Sequence, residues 1–330
     1  ALATSGDGGR DPAPAPAPTT PGTPSPEPDP GPPVGDYRHA VVWNAPEPEA
    51  EASLPWTDSV LPREIDLGAD LPDLPPGRSA LAVHTVYDEA FRPTRFVVLT
   101  TDGASWNLPA DHLRANRDEF GNTAALTPPD GGLSPDGRHL FVAQPSSLEL
   151  YDLETGSWRS IDTPDWLAEG ARWLDSETIW VPNGLLRSGL GSTYDTTGRR
   201  VSAEEPRVFS DLPIAPADEQ YGSLVRGDGD AVAGSFFLAG PVSGAPYTNP
   251  EGVVARVDGR TSVLAIAVQG RWKMCCPAVG WISGGLVAFE SQGRVLAWRP
   301  AGDAVYRVAE TTGLTDNETA VSSWAWAVLR

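Results

Sequence analysis

A recurring unit of four short predicted strands limits this chain more than any other feature of its sequence. The clearest copy, residues 132–161, reads GLSPDGRHLFVAQPSSLELYDLETGSWRSI, with apolar alternating runs between Gly, Pro, Asp and Ser clusters. Such period-two runs between turn residues are typical of β-strands joined by tight turns. Looser copies occupy residues 80–108, 172–203, 223–267 and 280–309. Their spacing of about 40 to 56 residues is that of a four-stranded propeller blade.

The repeat therefore predicts an all-β fold, a single β-propeller of four-stranded blades. The chain ends supply material for one more blade, with inner strands from SSWAWAVLR (residues 322–330) and outer strands from HAVVWNAP (residues 39–46) and LPREIDL (residues 61–67). A blade shared by both ends forms only when the ring closes. We expect six blades, with five or seven as alternatives.

The segment LSPDGRHLFVAQPSSLELYDLETGSW, residues 133–158, resembles the repeats of WD40-like and TolB-type bacterial propellers. Blades of that family often carry a Ser-Pro-Asp-Gly turn before the second strand, and Tyr-Asp or Trp-Asp with Thr-Gly near the third. Here the Ser-Pro-Asp-Gly turn occurs once and the Trp-Asp dipeptide is absent. The resemblance implies the architecture and says nothing about site residues.

Tryptophans recur at repeat-equivalent or strand positions, where we expect packing between blades and not ligand stacking. They are Trp106, Trp158, Trp173, Trp180, Trp281, Trp298, Trp324 and Trp326.

Residues 11–33 read DPAPAPAPTTPGTPSPEPDPGPP and contain almost no large apolar side chain. Such a segment cannot bury enough surface to offset its ordering entropy. We therefore expect residues 1–36 to form a disordered proline-rich stalk and residues 37–330 to form the propeller. The opening Ala-Leu-Ala is typical of what remains after a signal peptide or anchor. These features predict an extracytoplasmic protein, secreted or anchored by an N-terminal element that precedes the given sequence.

The chain carries 44 acidic and 24 basic residues, a formal net charge of −20. That charge repels phosphate backbones and anionic membranes, so nucleic acid is excluded as an expected partner. The acidic surface serves solubility in our interpretation, with a cationic partner as the alternative. No apolar run reaches the roughly 18 residues of a membrane helix, so we expect no transmembrane segment here. We also expect a monomer.

Motifs for catalysis or metal binding are missing from the sequence. The four histidines, His39, His84, His112 and His139, are scattered without metal-ligand spacing, and no nucleophile elbow, Walker loop or dinucleotide fingerprint occurs. Gly227-Asp228-Gly229-Asp230 is too short for an EF-hand loop and predicts a hairpin turn, with a cation site as the alternative. We expect no catalytic residues, no metal and no cofactor.

Cys275 and Cys276 are the only cysteines and are adjacent. In an oxidising compartment two cysteines usually pair, which here means a vicinal disulfide. The alternative is two buried thiols packed as small apolar groups. The sequence leaves both open.

Propellers generally bind ligands on loops at one end of the channel, and fold analogy selects candidates on the longer connections. The candidate ligand residues are Trp166, Arg187, Tyr221, Tyr247, Asn249, Arg271 and Trp272. Two functions follow. The favoured one is an extracellular, non-enzymatic recognition or scaffold propeller that binds a protein, peptide or glycan. The alternative is an extracellular hydrolase or lyase that acts at the channel mouth with paired carboxylates.

Overall fold

A computed structural model describes residues 31–38, 40–114, 116–117, 123–124, 131–163, 171–182, 191–202, 220–237, 251–266 and 276–330. Within these residues the fold is almost entirely β-sheet, and the one helix is the single turn α1 (Pro48–Glu51). No helix in the described part of the chain is long and apolar enough to cross a membrane.

The strands follow one another in five groups that match the five repeat copies. Before the first group lie β1 (Gly35–Tyr37), β2 (Ala40–Asn44) and β3 (Glu64–Asp66). Blade 1 has β4 (Ala80–Tyr87), β5 (Pro93–Thr100) and β6 (Ser105–Asn107), and a small ladder of β7 (Asn116–Arg117) and β8 (Thr123–Ala124) follows. Blade 2 has β9 (His139–Gln144), β10 (Ser147–Asp152) and β11 (Ser157–Asp162). Blade 3 has β12 (Arg172–Trp173), β13 (Thr178–Pro182), β14 (Gly191–Asp195) and β15 (Arg200–Ser202).

The last two blades are complete four-stranded meanders. Blade 4 has β16 (Gln220–Arg226), β17 (Val232–Phe237), β18 (Glu251–Val257) and β19 (Arg260–Ile266). Blade 5 has β20 (Ala278–Ile282), β21 (Leu286–Ser291), β22 (Arg294–Trp298) and β23 (Val305–Thr312), and the final strand is β24 (Thr319–Trp324). Strand β20 contacts both β16 and β24, so the first strands of adjacent blades face one another around the ring axis.

The closure differs from the prediction of a sixth blade shared by both chain ends, and that prediction is wrong. β24 is the inner strand of blade 1, antiparallel to β4 from Thr319 opposite Tyr87 to Trp324 opposite Ala82. The N-terminal strands lie elsewhere, because β2 pairs in parallel with β19 at the outer edge of blade 4, and β3 pairs in parallel with β23 at the outer edge of blade 5. Within the described ranges the strands make five blades, the lower count that the repeat allowed.

The core lies in layers between neighbouring blades, since each sheet is apolar on both faces. One cluster joins blades 4 and 5, a second joins blades 5 and 1, a third joins blades 1 and 2, and a fourth joins blades 2 and 3. Tryptophans contribute to these layers as the sequence predicts. Trp298 is fully buried, and its indole nitrogen donates to the carbonyl oxygen of Gly302 at 2.7 Å.

Residues Thr319–Arg330, the C-terminal segment, link four blades. Within β24 the side chains alternate, so Ser323 accepts the backbone N–H of Leu133 in blade 2, whereas Trp324 donates to Glu290 in blade 5. Beyond β24, the N–H of Ala327 donates to the carbonyl of Pro135 in blade 2. The guanidinium of Arg330 binds the first hairpin of blade 4. The segment thus crosses one end of the ring.

Candidate functional site

The seven ligand residues predicted from the sequence lie mostly outside the described residues. Of the seven, six lie outside the described residues: Trp166, Arg187, Tyr247, Asn249, Arg271 and Trp272. Tyr221 is described only in its backbone, which pairs with Ser235 across β16 and β17.

Cys276 lies at the start of blade 5 and is disulfide-bonded, while Cys275 lies outside the described residues. Its side chain is 1% exposed and packs in the layer between blades 4 and 5. Its φ of 80° is unusual for a residue other than glycine. The hydroxyl of Ser235 donates to the carbonyl of Cys276 at 3.0 Å and accepts the N–H of Ala278 at 2.6 Å, which fastens this turn to blade 4.

A cleft of about 860 Å³ lies between blades 4 and 5, where Arg330 binds the first hairpin of blade 4. It is bounded by four hairpins, two from each blade, and by Arg330. Its volume falls within the range of small-ligand sites in proteins. The lining residues are Asp228, Ala231, Val257, Asp258, Arg260, Ser262, Trp281, Ile282, Ser283, Gly284, Gly285, Arg299, Pro300, Ala301 and Arg330.

Short turns fix the walls of this cleft. Val257 and Arg260 face each other across a two-residue hairpin, and its central residues Asp258 and Gly259 have φ of 49° and 70°. Two positive φ values define the tight turn that matches strand twist, and Asp-Gly is a preferred sequence for it. The predicted turn at Gly227–Asp230 is confirmed, because the N–H of Gly227 donates to the carbonyl of Ala231 at 2.8 Å.

Five charged side chains line the cleft, three of them arginines. Arg330 is held by the carboxylate of Asp228 at 2.6 Å and by the carbonyls of Arg226 and Gly227. Arg299 is partly buried and lies 3.3 Å from the carbonyl of Gly284. Arg260 is exposed, and its guanidinium makes no ion pair or hydrogen bond with any described residue. Arg260 is therefore the cation of the cleft whose guanidinium donors are not used by any described residue.

The floor of the cleft is mostly apolar. Trp281 is 4% exposed, and its indole nitrogen donates to the carbonyl of Val225 at 3.2 Å. This hydrogen bond fixes the orientation of the indole. Ser262 is 6% exposed, and its hydroxyl has no hydrogen-bond partner in the described part of the chain. A buried hydroxyl that faces a cleft without a protein partner is available to a ligand.

A second polar group, at the junction of blades 5 and 1, is buried. Nδ1 of His84 lies 2.8 Å from the hydroxyl of Ser322, and Ser322 and Trp324 both hydrogen-bond Glu290. Burial lowers the pKa of His84 to about 4 and raises the pKa of Glu290. The serine lies between the acid and the imidazole, whereas a hydrolytic triad needs the imidazole between acid and serine. This group therefore links two blades.

Metal ligation has no support in the described ranges, since they contain no group of three or more His, Cys, Asp or Glu side chains placed to hold an ion. The cleft has two carboxylates, Asp228 and Asp258, and the first is paired with Arg330. Its chemistry is that of binding through guanidinium, hydroxyl and carboxylate groups.

Similarity to known proteins is found among solved structures. No family model matches the sequence, and no curated protein matches it. Similar solved structures include the extracellular domain of a one-component system from B. thetaiotaomicron, at 12% identity and a TM-score of 0.28, covering 72% of this chain and 29% of that chain. This chain thus spans less than a third of that relative's length.

Two further similar structures are a propeller domain and a TolB protein. The β-propeller domain of the Trilobed protease from Pyrococcus furiosus is similar at 15% identity and a TM-score of 0.27, with 72% of each chain covered. TolB from Acinetobacter baumannii is similar at 15% identity and a TM-score of 0.28, covering 78% of this chain and 68% of that chain. At these identities and TM-scores the similarity adds nothing to the propeller arrangement that the strand pairing itself shows.

Proposed function

We propose that this chain is an extracytoplasmic, non-enzymatic recognition or scaffold propeller that binds a protein, peptide or glycan in the cleft between blades 4 and 5. One observation carries the proposal. A concave surface of about 860 Å³ combines an apolar floor with a small set of polar groups, which is how small-ligand sites are built.

Rigidity favours this surface as a binding site. Its walls are short hairpins between strands whose side chains are buried on both faces, so the polar groups are held before a ligand arrives. Val254 and Leu296, for example, are fully buried next to the hairpins. Pre-organised groups lose little conformational entropy on binding, which favours affinity.

Two features support an extracytoplasmic location. The disulfide at Cys276 is of a kind that persists in oxidising compartments and is rare in the cytosol. The proline-rich composition of residues 11–33 suits a spacer that holds a domain away from a surface. A display role outside the cell is consistent with both.

The proposal is tested by screening the purified chain on glycan and peptide arrays. Three proteins are compared: the wild type, Arg260→Glu in the cleft, and Arg138→Glu as a matched control. Arg138 is also an exposed arginine in a hairpin, with a side chain 63% exposed, but it belongs to blade 2. We expect array signals that Arg260→Glu abolishes and Arg138→Glu retains.

Enzymatic action is tested on the same ligands. After overnight incubation with the chain, the mass of each bound glycan or peptide should be unchanged. Fragments that appear with the wild type, and persist after repurification by size exclusion, would overturn the non-enzymatic role. Array signals unaffected by Arg260→Glu would overturn the location of the site.

A further inference from the structure

One continuous stretch of the chain, residues 40–74, covers the outermost strands of blades 4, 5 and 1, and we call it the N-terminal belt. Its strands β2 and β3 pair in parallel with the outermost strands of blades 4 and 5. Further along, Asp73 forms a parallel bridge with Asn107 in β6, the outermost strand of blade 1. An open strand edge presents unpaired N–H and C=O groups, and the belt pairs with those groups at each of these blades.

The belt does not reach along the outer edge of blade 2. After the belt, the N–H of Gly77 donates to the carbonyls of Leu153 and Glu154 in the hairpin between β10 and β11, and the chain then enters β4 of blade 1. The outermost strand of blade 2 is β11, and no strand in the described ranges pairs with its outer side. Blade 2 therefore keeps an open edge of six residues.

The pairing of β11 with β10 determines which backbone groups this edge offers. The N–H of Thr163 donates to the carbonyl of Ser146, so the odd-numbered residues of β11 bond inward in this antiparallel ladder. The N–H and C=O groups of Trp158, Ser160 and Asp162 therefore point outward. They form no hydrogen bond in the described part of the chain. An added strand pairs with such a row of free groups.

The two faces of β11 differ in chemistry. Ile161 is 2% exposed and belongs to the apolar layer between blades 2 and 3. Side chains alternate along a strand, so Ser160 and Asp162 lie on the opposite face together with Trp158, which packs between blades 1 and 2. The hydroxyl of Ser160 donates to the carboxylate of Glu149 at 2.8 Å. A strand added here would place alternate side chains beside an apolar layer and beside carboxylates.

The hairpin of β10 and β11 is negatively charged. It contains four acidic residues and one basic residue, which are Glu149, Asp152, Glu154, Asp162 and Arg159. The guanidinium of Arg159 donates to the carbonyl of Thr196 in blade 3 at 2.8 Å, on the face away from Glu149 and Asp162. The segment that packs against Trp158 adds Asp111 and Arg114, whose charges cancel. The face of β11 towards blade 1 therefore favours a basic partner.

We propose that the outer edge of blade 2 binds an extended basic segment of a partner protein, which pairs in parallel with β11 as an added strand. The belt shows the same pattern within this chain. Ile65 of β3 and the following Leu67 are fully buried between blades 5 and 1, and the residues that alternate with them are exposed. A strand on β11 carries apolar side chains towards blade 3 and lysine or arginine towards Glu149 and Asp162. This site shares no residue with the cleft, so the inference is independent of the proposed function.

The test is fluorescence anisotropy on the full chain with three labelled synthetic peptides. The first alternates lysine and valine, the second has glutamate in place of lysine, and the third is the lysine-valine peptide with N-methylated valine amides. In a parallel pair, the bonding groups of the peptide belong to the residues aligned with Arg159 and Ile161, which are the valines. We expect the first peptide to bind, and each of the other two to bind at least tenfold more weakly.

Substitutions at the edge locate the binding. Proline is tolerated on an edge strand where its nitrogen faces outward, so Ser160→Pro should fold and block pairing, with at least a tenfold loss of affinity. Ser160→Ala is the matched control, because it keeps the backbone N–H, and its affinity should stay within about threefold of the wild type. Asp162→Lys should weaken binding about threefold to tenfold through charge repulsion. Thermal unfolding shows whether each variant is folded.

Several results would overturn the inference. They are no saturable binding of the lysine-valine peptide, equal binding of the glutamate or N-methylated peptide, and binding that a folded Ser160→Pro variant retains. If Ser160→Pro does not fold, the N-methylated peptide decides the question on the wild type. Arg260→Glu should leave the affinity unchanged, and a loss there would place the peptide in the cleft. An array signal that Ser160→Pro abolishes and Arg260→Glu retains supports this edge and does not count against the cleft.

Discussion

The N-terminal strands and the C-terminal segment both fasten the ring, but they do so at opposite edges of its blades. β2 and β3 lie in parallel along the outermost strands of blades 4 and 5, which already have four strands each. β24 lies antiparallel at the inner edge of blade 1, which has only three strands of its own. The comparison teaches that the inner strand completes a blade and closes the ring, whereas the outer strands cover edges that would otherwise stay open.

The largest expected effect comes from removing these segments one at a time. Deletion of residues 319–330 leaves blade 1 without its inner strand and removes fully buried Leu329 and the partners of Glu290. We expect the free energy of unfolding to fall by more than about 5 kcal/mol, which is comparable to the whole stability of a domain. Near-UV circular dichroism should then show no cooperative melting.

Deletion of residues 31–44 is the matched control, because it removes two strands from the outer edge of blade 4. The deletion exposes part of the apolar layer, so we expect the free energy of unfolding to fall by about 2 to 5 kcal/mol. The thermal unfolding transition should remain cooperative. The comparison is wrong if the two deletions behave alike, or if only the outer one abolishes folding.

The next largest expected effect is a loss of stability on substituting a glycine at the junction of blades 1 and 2, beside the C-terminal segment. Gly137 has a φ of +72°, and a Cβ there would lie 2.0 Å from the carbonyl oxygen of Ala80. Gly259 has a nearly equal φ of +70°, with no heavy atom within 4 Å of such a Cβ. Both alanine variants carry the cost of the left-handed conformation, about 1 to 2 kcal/mol.

Only Gly137→Ala adds a backbone clash, so it should lose about 3 kcal/mol or more in urea unfolding. Gly259→Ala should lose only the conformational cost. Equal losses would show that the close approach of blade 2 to blade 1 is absent.

A smaller expected effect is a pH dependence of stability, which comes from the buried groups between β24 and blade 5. Burial lowers the pKa of His84 from 6.5 to about 4, so the unfolded chain binds a proton that the folded chain does not. Stability therefore falls as the pH drops from 6.5 towards 4, by up to about 3 kcal/mol. The raised pKa of Glu290 acts in the opposite sense, since the folded state holds that proton more tightly.

His84→Asn retains an acceptor near Ser322 and removes the titration, so urea midpoints of this variant should change less between pH 6.5 and 4. A His84→Asn slope equal to that of the wild type would contradict a buried neutral imidazole at the closure.

The smallest expected effect is that of reducing the disulfide at Cys276, which lies between blades 4 and 5. We propose that Cys276 is bonded to Cys275, the other cysteine of the sequence. A bond between adjacent residues closes almost no loop in the unfolded chain, so its reduction should lower stability by less than about 1 kcal/mol.

Intact mass spectrometry tests this bond directly. Native protein should add no alkyl groups, reduced and unfolded protein should add two, and the non-reduced mass should be that of one chain. Two alkyl groups on the unreduced native protein, or a disulfide-linked dimer, would contradict a vicinal bond.

The sequence predicts the blades because each blade is built from neighbouring residues. The turn at residues 134–137 and the hairpin residues Asp258 and Gly259 encode their conformation locally. The strand partners of the chain ends are encoded nowhere locally, because β24 pairs with residues more than 230 positions away, as the contact of Ser322 with His84 shows. The predicted sixth blade failed at this point.

The cleft escaped prediction for a related reason. Its charged residues are single arginines and aspartates on hairpins from two blades, and Arg330 meets Asp228 across a separation of 102 residues. No motif joins them. Fold analogy selected the longer connections of the chain, whereas the described cleft is made by short turns.

The central claim, a five-bladed ring closed by β24 inside blade 1, is tested most directly by nuclear Overhauser effects in the isotope-labelled chain. The account predicts effects between facing residues of β24 and β4, such as Ser322 with His84 and Trp324 with Ala82. It also predicts effects between β2 and β19. Effects between β24 and β2 in place of these would show a sixth blade made by both chain ends and would contradict the account.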